Sequence, residues 1–271
     1  MFMLLAVAFL TLLERKVMGY IHGRVGPNKI LLIGVLQPIV DGVKLFLKSH
    51  MISVKVLPSV LSLIVPLLLL CVLDVNSSYM LLMYLAVLSL SVWPLLIASW
   101  SSYSSYPVLA SLRIVAQSIS YEVVLYLIFI PLVVLSVSWS GFAPTYSCGI
   151  YCVSFVFLGV IVGLSEMHRT PFDFAEGESE LVSGYNTEFS SVSFTLLFLA
   201  EYLALLVMCV LLSVVMFACW WWSVVFMWVC LSVRFVYVRL RYDQLMQLLW
   251  KNLLPTCLCL LAPLFSTLST L

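Results

Sequence analysis

The stretch from residue 189 to residue 233 is 45 residues long and contains a single charged residue, Glu201. A helix needs roughly 20 apolar residues to cross the hydrocarbon core of a bilayer. The stretch is therefore long enough for two spanning helices. Composition agrees, since 64% of the chain is hydrophobic, 9% is charged and the mean hydropathy is +1.17. This charged fraction is about a third of the usual one, so the composition excludes a soluble domain and indicates a membrane protein.

Nearly uncharged runs define the candidate spans. They cover residues 1–13, 56–73, 75–112, 123–165, 189–233 and 252–271. The longer runs divide at the polar cluster SWSSYSSYP (99–107), at SVSWSGFAPTYSCG (136–149) and near Ser213–Phe217. The first run lacks a basic n-region and a small-residue cleavage site, so we read it as a retained span. We predict an all-α, single-domain (1–271) fold of eight spans, at about 2–22, 55–73, 79–99, 114–136, 148–167, 192–212, 217–234 and 249–268.

The distribution of basic residues supports the count of eight. All 13 Lys and Arg residues fall at or beside odd-numbered loops, whereas the even-numbered loops carry only Asp74. By the positive-inside rule, the odd loops face the cytoplasm-equivalent side and both termini face the other. Seven spans would break this parity.

The first loop contains basic and apolar residues in alternation, in KLFLKSHMISVKVL. Lys44 and Lys48 are spaced i, i+4, so a segment from about 36 to 50 is predicted to be an amphipathic helix that lies in the membrane interface. A basic loop that serves only topology is the alternative.

Acidic residues are concentrated in one segment, EMHRTPFDFAEGESELVSGYNTE (166–188). It contains six of the 12 carboxylates of the chain. If 176–180 is helical, Glu176 and Glu180 share a face while Glu178 points elsewhere. Ionisation of all carboxyl groups this close together costs free energy, so some of them should hold protons near neutral pH. A solvated acidic loop is the alternative, but interleaved apolar residues such as Phe172, Phe174 and Leu181 disfavour it.

Three acidic positions outside this segment fall inside predicted spans, where ionisable residues are costly and indicate function. Glu14 lies with Arg15 and Lys16 near the first loop, so snorkelling or a local ion pair could explain it. Glu122 is two or three turns in from Arg113. Glu201 has no basic residue within 30 positions on either side, which predicts an unpaired carboxylate and a candidate proton carrier.

Other chemistry finds little support in the sequence. The eight cysteines form no CxxC pair and mostly lie in apolar runs, so we interpret them as small buried hydrophobes rather than as a disulfide framework or an iron–sulfur site. His22, His50 and His168 are scattered, which disfavours haem or metal ligation. No GxGxxG, GxxxxGK[ST] or GxSxG motif is present, and no basic run suggests a nucleic-acid partner.

Six segments in order along the chain resemble subunit 1 of the proton-pumping NADH:ubiquinone oxidoreductase of mitochondria, respiratory complex I. They are LLERKVMGYIHGRVGPNK (12–29), QPIVDGVKLFLK (37–48), LRIVAQSISYEV (112–123), SEMHRTPFDFAEGESELVSGYNTEF (165–189), LAEY (199–202) and RLRYDQLMQLLWKNLLP (239–255). The resemblance implies a core membrane-arm subunit of the inner membrane with its odd loops on the matrix side. Its partners would be the quinone-site subunits, small membrane subunits and phospholipids. Ubiquinone would be the substrate, with no metal or covalent cofactor in this chain.

The resemblance also implies roles for individual residues. The quinone tunnel would include Arg24, Asp41, Lys44, Phe46, Arg169, Asp173, Arg239 and Arg241, with Arg113 in its charged wall. The proton path would include Glu122, Glu166, Glu176, Glu178, Glu180, Glu188 and Glu201. His168 stands where the family usually has Asn, and Val238 where Pro is frequent. The alternatives are a stand-alone proton-coupled transporter, a structural anchor for a soluble arm, and a hydrogenase-like subunit that uses no quinone.

Overall fold

The computed structural model describes residues 2–29, 34–48, 56–74, 79–102, 104–135, 149–174, 184–217 and 219–269. In these ranges the chain is helical and contains no strand, which confirms the all-α class. The helices are α1 (Phe2–Ile21), α2 (Gln37–Phe46), α3 (Leu57–Asp74), α4 (Met80–Ser89), α5 (Val92–Ser101), α6 (Ser105–Leu135), α7 (Gly149–Glu166), α8 (Ser191–Phe217), α9 (Trp222–Val236), α10 (Tyr242–Gln247) and α11 (Leu254–Ser269). A 3₁₀ turn covers Gly184–Asn186, and a π-helical segment, Leu248–Leu253, joins α10 to α11.

Five helical stretches in the described residues are long and apolar enough to cross a membrane. They are Leu57–Asp74, Met80–Ser101, Ser105–Ile130, Ser191–Phe217 and Tyr242–Ala262. Two shorter apolar helices are Ser154–Glu166 and Trp222–Val236. The first predicted span coincides with α1, whose sequence includes three charged residues. Among the described residues, five stretches are both long enough and apolar enough to span a membrane, so the count of eight spans remains a proposal.

Three helix boundaries differ from the predicted ones, the first being the start of α6 at Ser105 rather than at about 114. The third predicted span is divided between α4 and α5, with Pro94 in the first turn of α5. Proline lacks an N–H and is tolerated there. The turn after the sixth span lies beyond Ser213–Phe217, since α8 continues to Phe217 and α9 begins at Trp222. No Gly, Pro or Asn in this stretch indicates the turn to a sequence reader.

Helix α8 is the most buried of the spans and packs against α1, α3, α7 and α9. Gly159 and Gly163 of α7 allow close approach to α8, because a Cβ at these positions would lie 3.1 Å from Leu212 and 3.4 Å from Met208. Charged side chains of α1, of α9 and of the turn after α7 meet at the surface of α8.

Helix α2 occupies most of the predicted amphipathic segment. It has no buried residue, and the apolar side chains of Ile39, Val43 and Phe46 are exposed. An exposed apolar stripe suits an interfacial helix, and that placement stays a proposal.

Candidate functional site

Glu14 of α1 is buried, with 5% of its surface exposed, and is held by two other helices. Tyr202 of α8 donates a hydrogen bond to Oε2 of Glu14 at 2.6 Å. Arg234 of α9 donates to Oε1 and forms an ion pair with the same carboxylate. Both explanations drawn from the sequence for Glu14, snorkelling and a local ion pair, are therefore wrong, because its partners lie 188 and 220 positions away.

Arg169 extends this network, because it contacts both Tyr202 and Glu201. Its guanidinium lies 4.0 Å from the centre of the Tyr202 ring, and Nη2 is 3.6 Å from Oε2 of Glu201. Tyr185 donates a hydrogen bond to the other oxygen of Glu201. The prediction of an unpaired Glu201 is therefore wrong. Burial alone would lower the pKa of Arg169, but Glu201, Tyr202 and Glu14 raise it above its ordinary value, so Arg169 remains a cation.

The turn after α7 is fixed by a residue of α6. Nε2 of Gln117, which is fully buried, donates to the backbone oxygens of Ser165 at 2.8 Å and Phe172 at 3.0 Å. His168 within this turn has a φ of 49°, a conformation that few residues other than Gly, Asn, Asp and His adopt. The turn places Arg169 against α8.

A second anchor joins this turn to the loop before α10. The backbone N–H of Leu240 donates to the oxygen of Pro171 at 3.1 Å. Nη2 of Arg239 lies 3.6 Å from Oδ2 of Asp173. Two residues assigned to the tunnel by resemblance are thus paired with each other.

A cavity of about 90 Å³ lies beside the network, and its mainly apolar lining includes Glu166, His168, Tyr185 and Glu201. Oε2 of Glu166 and Nδ1 of His168 are buried with no hydrogen-bond partner among the described residues. Buried polar atoms of this kind usually bind water. Burial lowers the pKa of His168 to about 4, so its imidazole is neutral at physiological pH.

Glu122 of α6 continues the line of acids away from α8. It accepts a hydrogen bond from Tyr126, one turn along the same helix, and interacts electrostatically with Glu166. Glu188 is partly buried just before α8. Glu176, Glu178 and Glu180 lie outside the described residues, so their roles stay predictions.

The remaining tunnel residues lie around α1 and α2. Asp41 forms an ion pair with Arg15 at 2.6 Å and accepts a hydrogen bond from Gln37 at 2.9 Å. Arg24 lines a second, open cavity of about 830 Å³ at the loop that follows α1. Lys44 and Phe46 are exposed on α2.

Two further arginines assigned by resemblance lie near α10. Arg241 is exposed and precedes this helix, and the guanidinium of Arg113 lies 6.0 Å from the centre of the Tyr242 ring. The structure therefore divides the predicted tunnel residues among several contacts and connects one of them, Arg169, to the predicted proton path.

Sequence reasoning missed four members of the site, which are Arg234, Tyr185, Tyr202 and Gln117. It explained Glu14 by snorkelling or a local ion pair. The only sequence signal was the presence of Glu14 in an apolar run, because none of the others is an unusual residue where it stands. In the described part of the chain, no group of three or more His, Cys, Asp or Glu side chains could hold a metal ion.

The fold and site define a helical membrane protein that pairs ionisable side chains between its spanning helices. A family model described as NADH dehydrogenase matches residues 1–264. The chain is also similar to proteins named NADH-ubiquinone oxidoreductase chain 1. The one from Locusta migratoria is 43% identical over 94% of this chain and 88% of its own length. Those from Artemia franciscana and Branchiostoma lanceolatum are 42% and 43% identical, over 95% and 97% of this chain and 93% and 91% of their own lengths. The chain belongs to the NADH dehydrogenase family, which confirms the resemblance seen in the sequence.

Proposed function

We propose that the chain is a core membrane-arm subunit of proton-pumping NADH:ubiquinone oxidoreductase. In this proposal it lies in the mitochondrial inner membrane with eight spans and its odd-numbered loops on the matrix side. It forms part of the ubiquinone tunnel, contacts the quinone-site subunits and the small membrane subunits, and couples quinone reduction to proton translocation. The names of the relatives and the five long apolar helical stretches support this proposal.

The observation that carries the coupling proposal is the ion pair between Arg169 and Glu201. Arg169 was assigned by resemblance to the tunnel and Glu201 to the proton path, yet their side chains lie 3.6 Å apart. A negative charge that forms near Arg169 would compete with Glu201 for the guanidinium. Glu201 would then lose its counter-charge and take up a proton, because an uncompensated carboxylate is costly in a desolvated site.

The proton taken up by Glu201 would move on through the cavity beside it. Glu166 lines the same cavity, and Glu122 lies beyond it in the interior of α6. Proton transfer along this line needs no redox centre in the chain, so the subunit would act as a coupling part of a larger enzyme. Tyr185, which donates to Glu201, would hold the carboxylate in position while its protonation state changes.

The test uses the assembled complex with Glu201→Gln or Glu166→Gln, reconstituted in vesicles. We expect normal amounts of complex and a fall in quinone-linked proton pumping of roughly a hundredfold, the usual contribution of a positioned proton-transfer group. Asp74→Asn is the matched control, because Asp74 is an exposed acid at the end of α3. Normal pumping in both Gln variants would refute the coupling role and favour a structural anchor. Proton transport by the isolated chain in vesicles would favour a stand-alone transporter.

A further inference from the structure

Helices α8 and α9 each carry one cysteine at the contact between them. Cys209 lies eight residues before the end of α8 at Phe217, and Cys230 lies eight residues after the start of α9 at Trp222. The two helices pack against each other and follow each other closely in the chain, so they form an antiparallel hairpin. At 1.5 Å per residue, each cysteine lies about 12 Å from the facing helix ends. The hairpin therefore places the two side chains at the same depth.

The two thiols contact each other. The Cys209 thiol donates a hydrogen bond to the sulfur of Cys230, and both residues are free cysteines. Both side chains also line one enclosed cavity of about 10 Å³. A disulfide between them would therefore require only the approach of two neighbouring side chains, with no change in the order or direction of the helices.

The surroundings of this pair are dry and apolar. Every other residue described at the cavity wall is apolar, including Met167 of the turn after α7 and Leu212 of α8. A buried water needs at least about 10–15 Å³ and two or more polar partners, which this cavity does not offer. A thiolate is costly in such a place because burial disfavours the charged form. Metal binding and ordinary thiol–disulfide exchange both require a thiolate, so neither suits this pair.

The two cysteines differ in access from outside. Cys209 is buried, with 3% of its surface exposed, whereas Cys230 is partly exposed on α9, an apolar helix. An oxidant that reaches Cys230 there must dissolve in hydrocarbon, and it must react with a neutral thiol. Lipid peroxyl radicals meet both requirements, because they form on acyl chains and take up a hydrogen atom without creating an ion.

We propose that Cys209 and Cys230 form a modification site at which lipid peroxyl radicals convert the two thiols into a disulfide between α8 and α9. A first radical takes the hydrogen atom of the Cys230 thiol and becomes a lipid hydroperoxide. The Cys209 thiol, which donates to Cys230, passes its hydrogen atom to that sulfur, so the unpaired electron moves to Cys209. A second peroxyl radical takes the hydrogen atom from Cys230, and the two sulfur radicals combine.

This reaction balances without any charged intermediate. Two thiols and two peroxyl radicals yield one disulfide and two lipid hydroperoxides. Each sulfur is oxidised by the loss of one hydrogen atom, and each peroxyl radical is reduced by the gain of one. The disulfide fastens α9 to α8 one turn before Arg234, because Cys230 and Arg234 are spaced i, i+4. The site does not rest on the proposed coupling role.

The experiment uses the assembled complex in vesicles of polyunsaturated phospholipid. One sample receives a lipid-soluble generator of peroxyl radicals, and the other receives hydrogen peroxide in the water phase. Free thiols are then alkylated, and a protease that cleaves after aromatic residues separates the two cysteines at the three tryptophans 220–222. We expect the radical generator to produce two peptides joined through Cys209 and Cys230, which a reductant separates. Hydrogen peroxide should leave the pair reduced, because it reacts with thiolates.

Three variants test the assignment by mass spectrometry of the same digests. Cys209→Ala and Cys230→Ala should each abolish the joined peptides. Cys71→Ala is the matched control and should keep them, because Cys71 is an exposed cysteine of α3 that does not line the cavity. In Cys209→Ala, the accessible Cys230 should be oxidised further, to sulfinic and sulfonic acid, whereas Cys209 should stay reduced in Cys230→Ala.

The comparison of the two oxidants needs only the wild-type complex. Absence of the joined peptides after treatment with the radical generator would overturn the proposal. An equal yield with hydrogen peroxide would overturn it as well, since the pair would then react through a thiolate. Neither result depends on whether Glu201 or Glu166 carries protons.

Discussion

The hydroxyl of Tyr202 donates a hydrogen bond of 2.6 Å to the carboxylate of Glu14, although the two residues are 188 positions apart. This contact joins α1 to α8, and Arg234 adds α9 to the same carboxylate. The guanidinium of Arg169, the partner of Glu201, lies over the Tyr202 ring, 4.0 Å from its centre. A single tyrosine thus connects a structural ion pair with the pair that we propose to carry the coupling.

Removal of the Glu14 carboxylate should destabilise the packing of α1. Glu14→Leu leaves Arg234 without its partner and Tyr202 without its acceptor, at an expected cost of about 3 kcal/mol, the low end for breaking a buried pair because Arg234 is partly exposed. Glu14→Gln keeps an acceptor for Tyr202 and should cost less. Thermal inactivation of the assembled complex measures the effect. The double variant Glu14→Leu with Arg234→Met should recover part of the loss. If all three variants are as stable as the wild type, the pair does not hold α1.

Two substitutions of Arg169 should distinguish the effect of its charge on proton pumping from the effect of its shape. Arg169→Lys keeps a cation but cannot both stack over Tyr202 and reach Glu201, so we expect proton pumping to fall several-fold, whereas Arg169→Met should abolish it. Lys251→Met is the control for the loss of a cation, since Lys251 is exposed and has no proposed role. The measurement is the ratio of protons pumped to NADH oxidised in vesicles. A normal ratio in Arg169→Met would contradict the proposed role.

Gln117 should be needed for the turn that carries Arg169. Gln117→Leu leaves the backbone oxygens of Ser165 and Phe172 without this donor, at about 1–3 kcal/mol for each group that stays unsatisfied. The expected result is a lower inactivation temperature and less assembled complex. Gln247→Leu, at an exposed position, should change neither. If the two variants behave alike, Gln117 does not position the turn.

Acid should destabilise the protein through His168. Its pKa is lowered by burial from 6.5 to about 4 in the folded protein, so the unfolded state binds more protons between these values. The contribution of neutral His168 to stability is therefore present above about pH 6.5 and is lost as the pH falls toward 4. His168→Asn removes this titration, and Asn tolerates the φ of 49°.

The measurement is the drop in inactivation temperature between pH 7.5 and pH 5.5, over which the His168 contribution changes by about 1.3 kcal/mol. We expect a smaller drop in His168→Asn than in the wild type. His22→Asn, at an exposed histidine, should leave the drop unchanged. An identical drop in all three proteins would mean that His168 does not titrate in this way.

Apolar run length predicted most of the helices within a few residues, because a spanning helix must match the thickness of the bilayer. The largest differences fell where local chemistry gave a misleading or absent signal. The polar cluster SWSSYSSYP (99–107) does divide two spans, since α5 ends at Ser101 and α6 begins at Ser105, but the fourth span was predicted to begin at about 114, nine residues too late. The turn after α8 has no Gly, Pro or Asn, so its position could not be read from the residues.

The sequence by itself determined the membrane class, the family and the identity of the acids that carry the proposed function, since these follow from hydropathy, charge spacing and long motifs. Tertiary structure alone decided which charges are paired. Glu201 has no basic residue within 30 positions, and its partner Arg169 is 32 positions away on a turn held by Gln117. Glu14 and Arg234 are 220 positions apart. Packing brings such residues together, and local periodicity contains no information about distance across a helix bundle.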